Sequence, residues 1–454
     1  MKKVLIILLI ALTLLFALFP SLLGFSLLRI GDAVSVSTAM GAKLGCSARF
    51  ITGQGETQII EDLASYSPAN RLLDIHYQDS RATASLLGMA TTSATYRPGL
   101  GCTLDDGDTS ELDRLVVADM PPKTAPWPAG FQVSTILPEV QEKLDQMLAE
   151  DNLAGLDSRA LLVVKQGQIV AESYAEGISP QTPLLGWSMG KSLTAILQGR
   201  MQQLGLVHVS DQGLFEPWQQ DKRQQISLKH MLTMTSGLMF DETYAPGSDS
   251  TRMLFQSHSA SEVAMDTELV HAPGAHFSYS SGTTNLIARY LHDRLGGDQA
   301  ALDFFQTQLL APLGMTHSLF EPDPSGVFVG SSYVYASARD WARLGLLMLY
   351  EGQWQGEQFL SQEWVAQARS PNSSRNDSRY GYQFWLNRGN EGEALRWPAL
   401  PADAYAMQGN RKQVVMVIPS EQLVLVRLGL TKEQYPMEGN FSALVTLLAG
   451  MESR

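Results

Sequence analysis

Apolar and polar positions follow two different periods along this chain, and their order predicts a layout. "LPEVQEKLDQMLAEDNL" (137–153) sets Val140, Leu144, Met147 and Leu148 at helical spacing, which predicts an amphipathic helix. "RALLVVKQGQIVAESY" (159–174) is two strand-like runs around the turn dipeptide Gln166-Gly167, hence a β-hairpin. Near the other end, "YAMQGN", "KQVVMVIP" and "QLVLVRLG" read as three more short strands, and "GNFSALVTLLAGM" as a closing helix. Between these ends, from Ser188 to about Tyr350, the patterns are mostly helical with turns. The expected fold class is α+β: an antiparallel sheet built from both ends of this region, flanked by helices, with a mostly helical region inserted.

Ahead of this region Lys2 and Lys3 precede a run from Val4 to Leu28 that carries no charge before Arg29. A cleaved signal has an apolar core of about 7–15 residues, whereas a span needs about 20. Residues 1–30 are therefore expected to be a transmembrane anchor, with a signal segment as the alternative and "STAMGA" (37–42) as a possible cleavage stretch. The lysines predict N-in, C-out, so the chain would be held in the inner membrane with its remainder in the periplasm. Cleavage would instead release it there. The membrane is thus one expected partner.

Both cysteines, Cys46 and Cys102, follow this run. In an oxidising compartment they read as one disulfide, against the alternative of two separate buried thiols. The expected organisation is a small disulfide-closed module over 31–104, an acidic then proline-rich linker over 105–130, and the main domain over 131–454. A hydrophobic content of 44% and a charged content of 17% describe a globular chain. A net charge of −13 argues against nucleic acid as a partner, because phosphate binding needs clustered Lys and Arg.

The candidate chemistry begins at "LLGWSMGKSL" (184–193), which matches three catalytic signatures. As a phosphate-binding loop it is one residue short, and the upstream "GISPQTPLLG" is turn-rich where a buried strand is required. As a G-x-S-x-G nucleophile elbow it lacks a late histidine, since all eight histidines lie at or before His317. As Ser-x-x-Lys its local requirements are met. Ser188 stands at the start of a predicted helix whose apolar face runs through Leu193, Ile196, Leu197, Met201 and Leu204. Lys191 follows one turn on, on the same face. A buried lysine has a depressed pKa and can take the proton of a serine hydroxyl. Gly186 is expected to serve the turn into the helix, and Gly190 to keep the space between the two side chains small.

"WSMGKSLTAIL", "LKHMLTMTSGL", "PGAHFSYSSGTTNLIARYL", "LLAPLGM" and "GSSYVYASARDWARLGLLML" together resemble the serine β-lactamase and penicillin-binding-protein-like family. The likeness is closer to its class C, esterase and 6-aminohexanoate-dimer-hydrolase branch, over roughly residues 131–450. It implies a β-lactamase/transpeptidase-like fold and a serine hydrolase that opens a small-molecule ester or amide through an acyl-enzyme, with no metal or cofactor. His271 and His276 flank Pro273-Gly274 without a carboxylate or cysteine at ligand spacing and read as structural.

By the same resemblance Tyr279 shares a proton with Lys191 and passes it to the leaving group. Ser281 stands where the family usually has Asn, a departure that also occurs in the amide-hydrolase branch and weakens the case for β-lactam turnover. Met407-Gln408-Gly409-Asn410 occupies the place of the third family motif. Gly409 would let the backbone approach substrate, and the amides of Asn410 and Ser188 would form the oxyanion hole. The family's cation is missing at 407; Arg411 is either its replacement or an ordinary solvated charge. Tyr244 resembles a tyrosine that lines the site in the dimer-hydrolase branch, with Asp241 and Glu242 beside it. The departures at 281 and 407 motivate a second reading, a catalytically weak or inactive module that binds cell-wall peptides or a protein partner.

Overall fold

Runs of consecutive apolar residues such as "ALLVV" and "QVVMVI" suit strands buried on both faces, and six strands join on that basis. The computed structural model, which describes residues 26–121 and 124–452, pairs them in one antiparallel sheet. Their order is Trp385–Leu386, Tyr405–Gly409, Gln413–Ile418, Leu423–Gly429, Ser158–Lys165 and Gln168–Tyr174. The hairpin at Gln166-Gly167 and the three late strands lie where the periodicity placed them; the two-residue strand at 385 carries no such signal. The junction of the two chain ends runs through Leu425 opposite Val163 and Val426 opposite Leu162.

Alternate residues of each strand serve opposite layers. Leu161, Val163, Val414, Met416 and Leu425 pack under the helices Pro138–Leu153 and Met437–Glu452 together with Val140, Leu144, Phe441 and Leu444. Leu162, Val164, Val415, Val424 and Val426 face the main core, into which the helix Ala338–Leu349 brings Trp341, Leu344 and Leu346. Both layers are dry, which explains why the strands show little alternation of apolar and polar residues. The inserted helices Met189–Gln203 and Ser281–Leu295 fill the main core beside the strand Tyr405–Gly409. A second, three-stranded sheet joins Leu184–Leu185, Val334–Ala336 and Ser318–Phe320, and through Gly186 N–H to Val334 O it fixes the chain just before Ser188.

The N-terminal elements form a layer of their own. Helix Ile30–Ser47 lies across a four-stranded meander, Leu73–Gln78 to Gly101–Leu104, with Ala39, Ala42, Ala82, Ala84 and Ala94 at the contact. Cys46 and Cys102 form a disulfide that joins the end of this helix to the last strand. Nearby, Lys43 and Glu321 make an ion pair with side chains 2% and 0% exposed. The Glu321 carboxylate also accepts from Ser47 Oγ and Cys102 N, each at 2.7 Å.

The expected transmembrane anchor requires correction, and with it the inner-membrane placement, the periplasmic destination inferred from it and the membrane as a partner. Among the described residues no helix is long and apolar enough to cross a membrane. The helix Ile30–Ser47 carries Asp32 and Lys43 and spends its small residues on the meander. Most of the charge-free run, residues 4–25, lies outside the described residues.

Candidate active site

Ser188 precedes the helix Met189–Gln203, and its side chain makes no capping hydrogen bond, which leaves the hydroxyl free for other partners. The turn that delivers it was expected to rely on Gly186, but Trp187 holds the left-handed backbone, at φ 49°. Gly186 is needed for space, since a Cβ there would sit 2.2 Å from the Trp341 ring. Gly190 likewise lets the segment around Gly330 approach, where a Cβ would lie 3.1 Å from the Gly330 carbonyl. That approach brings Ser331 O to Lys191.

Helical spacing places Lys191 Nζ 3.1 Å from Ser188 Oγ. The ammonium donates also to Ser281 Oγ at 2.9 Å and to Ser331 O at 3.2 Å. Lys191 is 1% exposed. Burial pushes its pKa down to about 8, and the Glu242 carboxylate opposes that shift. The result is a lysine that gives up its proton near neutrality.

Ser280 caps the helix Ser281–Leu295 by accepting from Thr283 N at 3.0 Å, which sets both Ser281 and Tyr279 beside Lys191. Lys191 Nζ lies 4.9 Å from the Tyr279 ring centre. The ring stacks on Trp385 at 5.5 Å and meets Tyr380 edge-on at 5.9 Å. Its hydroxyl interacts with Ser188, and burial, reinforced by Tyr380, pushes the phenol well above its ordinary range. Tyr279 therefore holds its proton. Tyr244 is an exposed residue whose hydroxyl reaches Ser281, Glu242 and Ser188.

Glu242 is the group whose place the sequence left open. It accepts from Ser281 N at 2.7 Å and from Ser281 Oγ at 2.5 Å, at the positive end of the 281–295 helix. Glu242, Ser281, Lys191 and Ser188 thus form a continuous hydrogen-bond chain. The proximity of "DETY" to Tyr244 hinted at it, but only the fold aims the carboxylate.

On the third side, Met407 points into the main core and is fully buried, whereas Gln408, Gly409 and Asn410 are half-buried at the strand end. A Cβ on Gly409 would lie 2.1 Å from Gly186 O, so this strand end runs directly against the turn that carries Ser188. Arg411 is neither of the two things expected of it. Its guanidinium donates to Ser65 O at 2.8 Å and covers the Tyr66 ring at 4.2 Å. A different cation comes near: Arg396 reaches Gln408 Oε1 at 3.4 Å and stacks on Trp385 at 4.1 Å. No spacing signal in the sequence could have assigned it, because the loop that carries it is placed by tertiary packing. His271 and His276 stack on one another at 4.2 Å. Among the described residues no group of three His, Cys, Asp or Glu side chains is arranged to hold a metal ion.

The Beta-lactamase family model matches residues 140–447. No match was found among the curated proteins. Several solved structures share the fold at low identity. A Bacillus anthracis protein assigned as a 6-aminohexanoate-dimer hydrolase matches at TM-score 0.57 and 18% identity, over 74% of this chain and 89% of its own. A family VIII carboxylesterase matches at TM-score 0.54 and 12% identity, over 70% and 100%. A class C beta-lactamase matches at TM-score 0.51 and 13% identity, over 69% and 96%.

Proposed function

The chain belongs to the Beta-lactamase family of serine hydrolases, and from that premise we propose that it opens an ester or amide bond through an acyl-enzyme on Ser188. The observation that carries this reading is the buried Lys191 ammonium 3.1 Å from the uncapped Ser188 hydroxyl. Neutral Lys191 takes the proton of Ser188 as Oγ adds to the substrate carbonyl. The N–H groups of Ser188 and Asn410 receive the oxyanion, an interaction stronger in the transition state than in the substrate. Tyr279, whose phenol stays protonated, gives its proton to the leaving alcohol or amine and recovers it from Lys191. Water then attacks the acyl carbonyl and returns the proton to Ser188 through the same pair.

Two substitutions relative to the family pattern shape the substrate. Ser281 gives Lys191 a hydroxyl partner that passes the hydrogen bond on to Glu242, so a carboxylate stands behind the base. Met407 offers no cation to a substrate carboxylate. Both favour a neutral ester or amide over an anionic β-lactam.

Incubation with a fluorophosphonate probe, followed by mass mapping of the adduct, tests the assignment. The adduct is expected on the peptide carrying Ser188; an adduct elsewhere, or none on the folded chain, overturns it. The same site predicts a pH profile. With Lys191 as base, kcat/KM for a neutral ester is expected to rise with pH through about 8 and then level. Glu242 favours the charged lysine, so Glu242→Gln is expected to move that limb to lower pH. A limb that stays in place or moves upward contradicts the role given to Glu242.

A further inference from the structure

Residues bearing side chains adopt left-handed backbone on both flanks of the proposed oxyanion donors. Trp187, at φ 49°, precedes Ser188; Arg411, at φ 61°, follows Asn410. Such a conformation is unfavourable for any residue with a Cβ and persists only where the surroundings hold it. Here one residue touches both. Trp187 Nε1 donates to Tyr66 Oη at 3.0 Å, and the two rings meet edge-on at 5.8 Å. The Arg411 guanidinium lies 4.2 Å over the Tyr66 ring and donates to the preceding Ser65 carbonyl at 2.8 Å. Tyr66 ends the helix Glu56–Tyr66 and lies outside the segment 140–447 that the family model matches.

The Ser188 N–H lies in the peptide plane set by the Trp187 ψ torsion, and the Asn410 N–H lies in the Gly409–Asn410 plane, whose position Arg411 anchors from the C-terminal side of Asn410. The two segments also touch directly, through Gly409 against Gly186 O. A brace that ties Trp187 to Arg411 therefore restrains the Ser188 N–H directly and the Asn410 N–H through the position of its chain neighbour. The brace has a firm base, since the Cys46–Cys102 disulfide ties the N-terminal helix to the meander and the buried Lys43–Glu321 pair ties that helix to the rest of the fold. We propose that Tyr66 is a positioning residue for the oxyanion hole, acting through Trp187 and Arg411 from the N-terminal part of the chain. This rests on the reading that the Ser188 and Asn410 amides hold the oxyanion.

The test uses the full chain, with p-nitrophenyl acetate as substrate and the fluorophosphonate probe as a control for Ser188. An oxyanion contact matters in the transition state, so Tyr66→Ala is expected to lower kcat about 10-fold or more while KM stays within about 2-fold. Tyr66→Phe keeps the ring under Arg411 and removes the acceptor for Trp187, and is expected to lower kcat by about 3-fold. Arg411→Gln in the Tyr66→Ala background is expected to add little, because both act through one brace. If Tyr66 only stabilises the fold, melting temperature falls and kcat per folded molecule does not; that result overturns the proposal. Should Tyr66→Ala fail to fold, Tyr66→Phe decides alone, and an unchanged kcat in it overturns the proposal as well. Absence of both turnover and Ser188 labelling in the wild-type chain is a different failure, which removes the acyl-enzyme premise itself.

Discussion

Ser188→Ala and Lys191→Met are each expected to lower kcat/KM toward an ester by at least about 10³-fold, and the double variant to fall no further. The reason is that in the proposed mechanism the two side chains act as one unit. Without Oγ there is no acyl-enzyme. Without Nζ the hydroxyl has no direct partner able to accept its proton, because the nearby phenols of Tyr279 and Tyr244 are held protonated and Glu242 is reached through the hydroxyls of Ser281 and Tyr244. Methionine is chosen for Lys191 because the site is buried and a polar replacement would lose further partners. Steady-state rates and probe labelling measure the effect. Full retention of turnover in Lys191→Met would show that another group serves as the base.

The largest stability effect is expected at Glu321→Ala. Glu321 receives Lys43, Ser47 Oγ and Cys102 N in a fully buried site that joins the N-terminal helix, the last strand of the meander and the main domain. Removing the carboxylate leaves a buried ammonium with no anion and only the long hydrogen bond to Ser47 Oγ at 3.5 Å, and a buried N–H without its acceptor, a change that costs about 3–5 kcal/mol. Replacing both charges, Lys43→Met with Glu321→Leu, removes the stranded ammonium and is expected to recover most of that loss. Denaturant unfolding of the three variants checks the ordering. A single Glu321→Ala variant as stable as wild type would mean that Lys43 reaches water without cost.

Much of the sheet was legible because both of its faces are dry. "ALLVV", "QVVMVI" and "LVLVRL" have few states open to them other than buried strands, and the structure pairs all three. Trp385–Leu386 escaped, since two residues at a sheet edge carry no period. At the site, the Ser188–Lys191 proximity was readable because an i, i+3 spacing on a helix is local geometry. The placing of Glu242, Arg396 and Arg411 was not, because each reaches its partner across many residues of chain. The anchor expectation was overturned on the described residues alone: the helix Ile30–Ser47 meets a sheet, and no described helix is long and apolar enough to cross a membrane.

The sequence by itself therefore determined the strand and helix layout, the family resemblance and the pairing of a serine with a lysine one turn on. These follow from periodicity and near-neighbour spacing, which any chain with those residues must express. Tertiary structure alone decided which charges stand near Ser188. It turned Met407 inward and Arg411 toward Tyr66, and it set Glu242 behind Ser281. Those placements depend on how separate segments pack, and no local rule relates residues 66, 187 and 411 until the fold has brought them together.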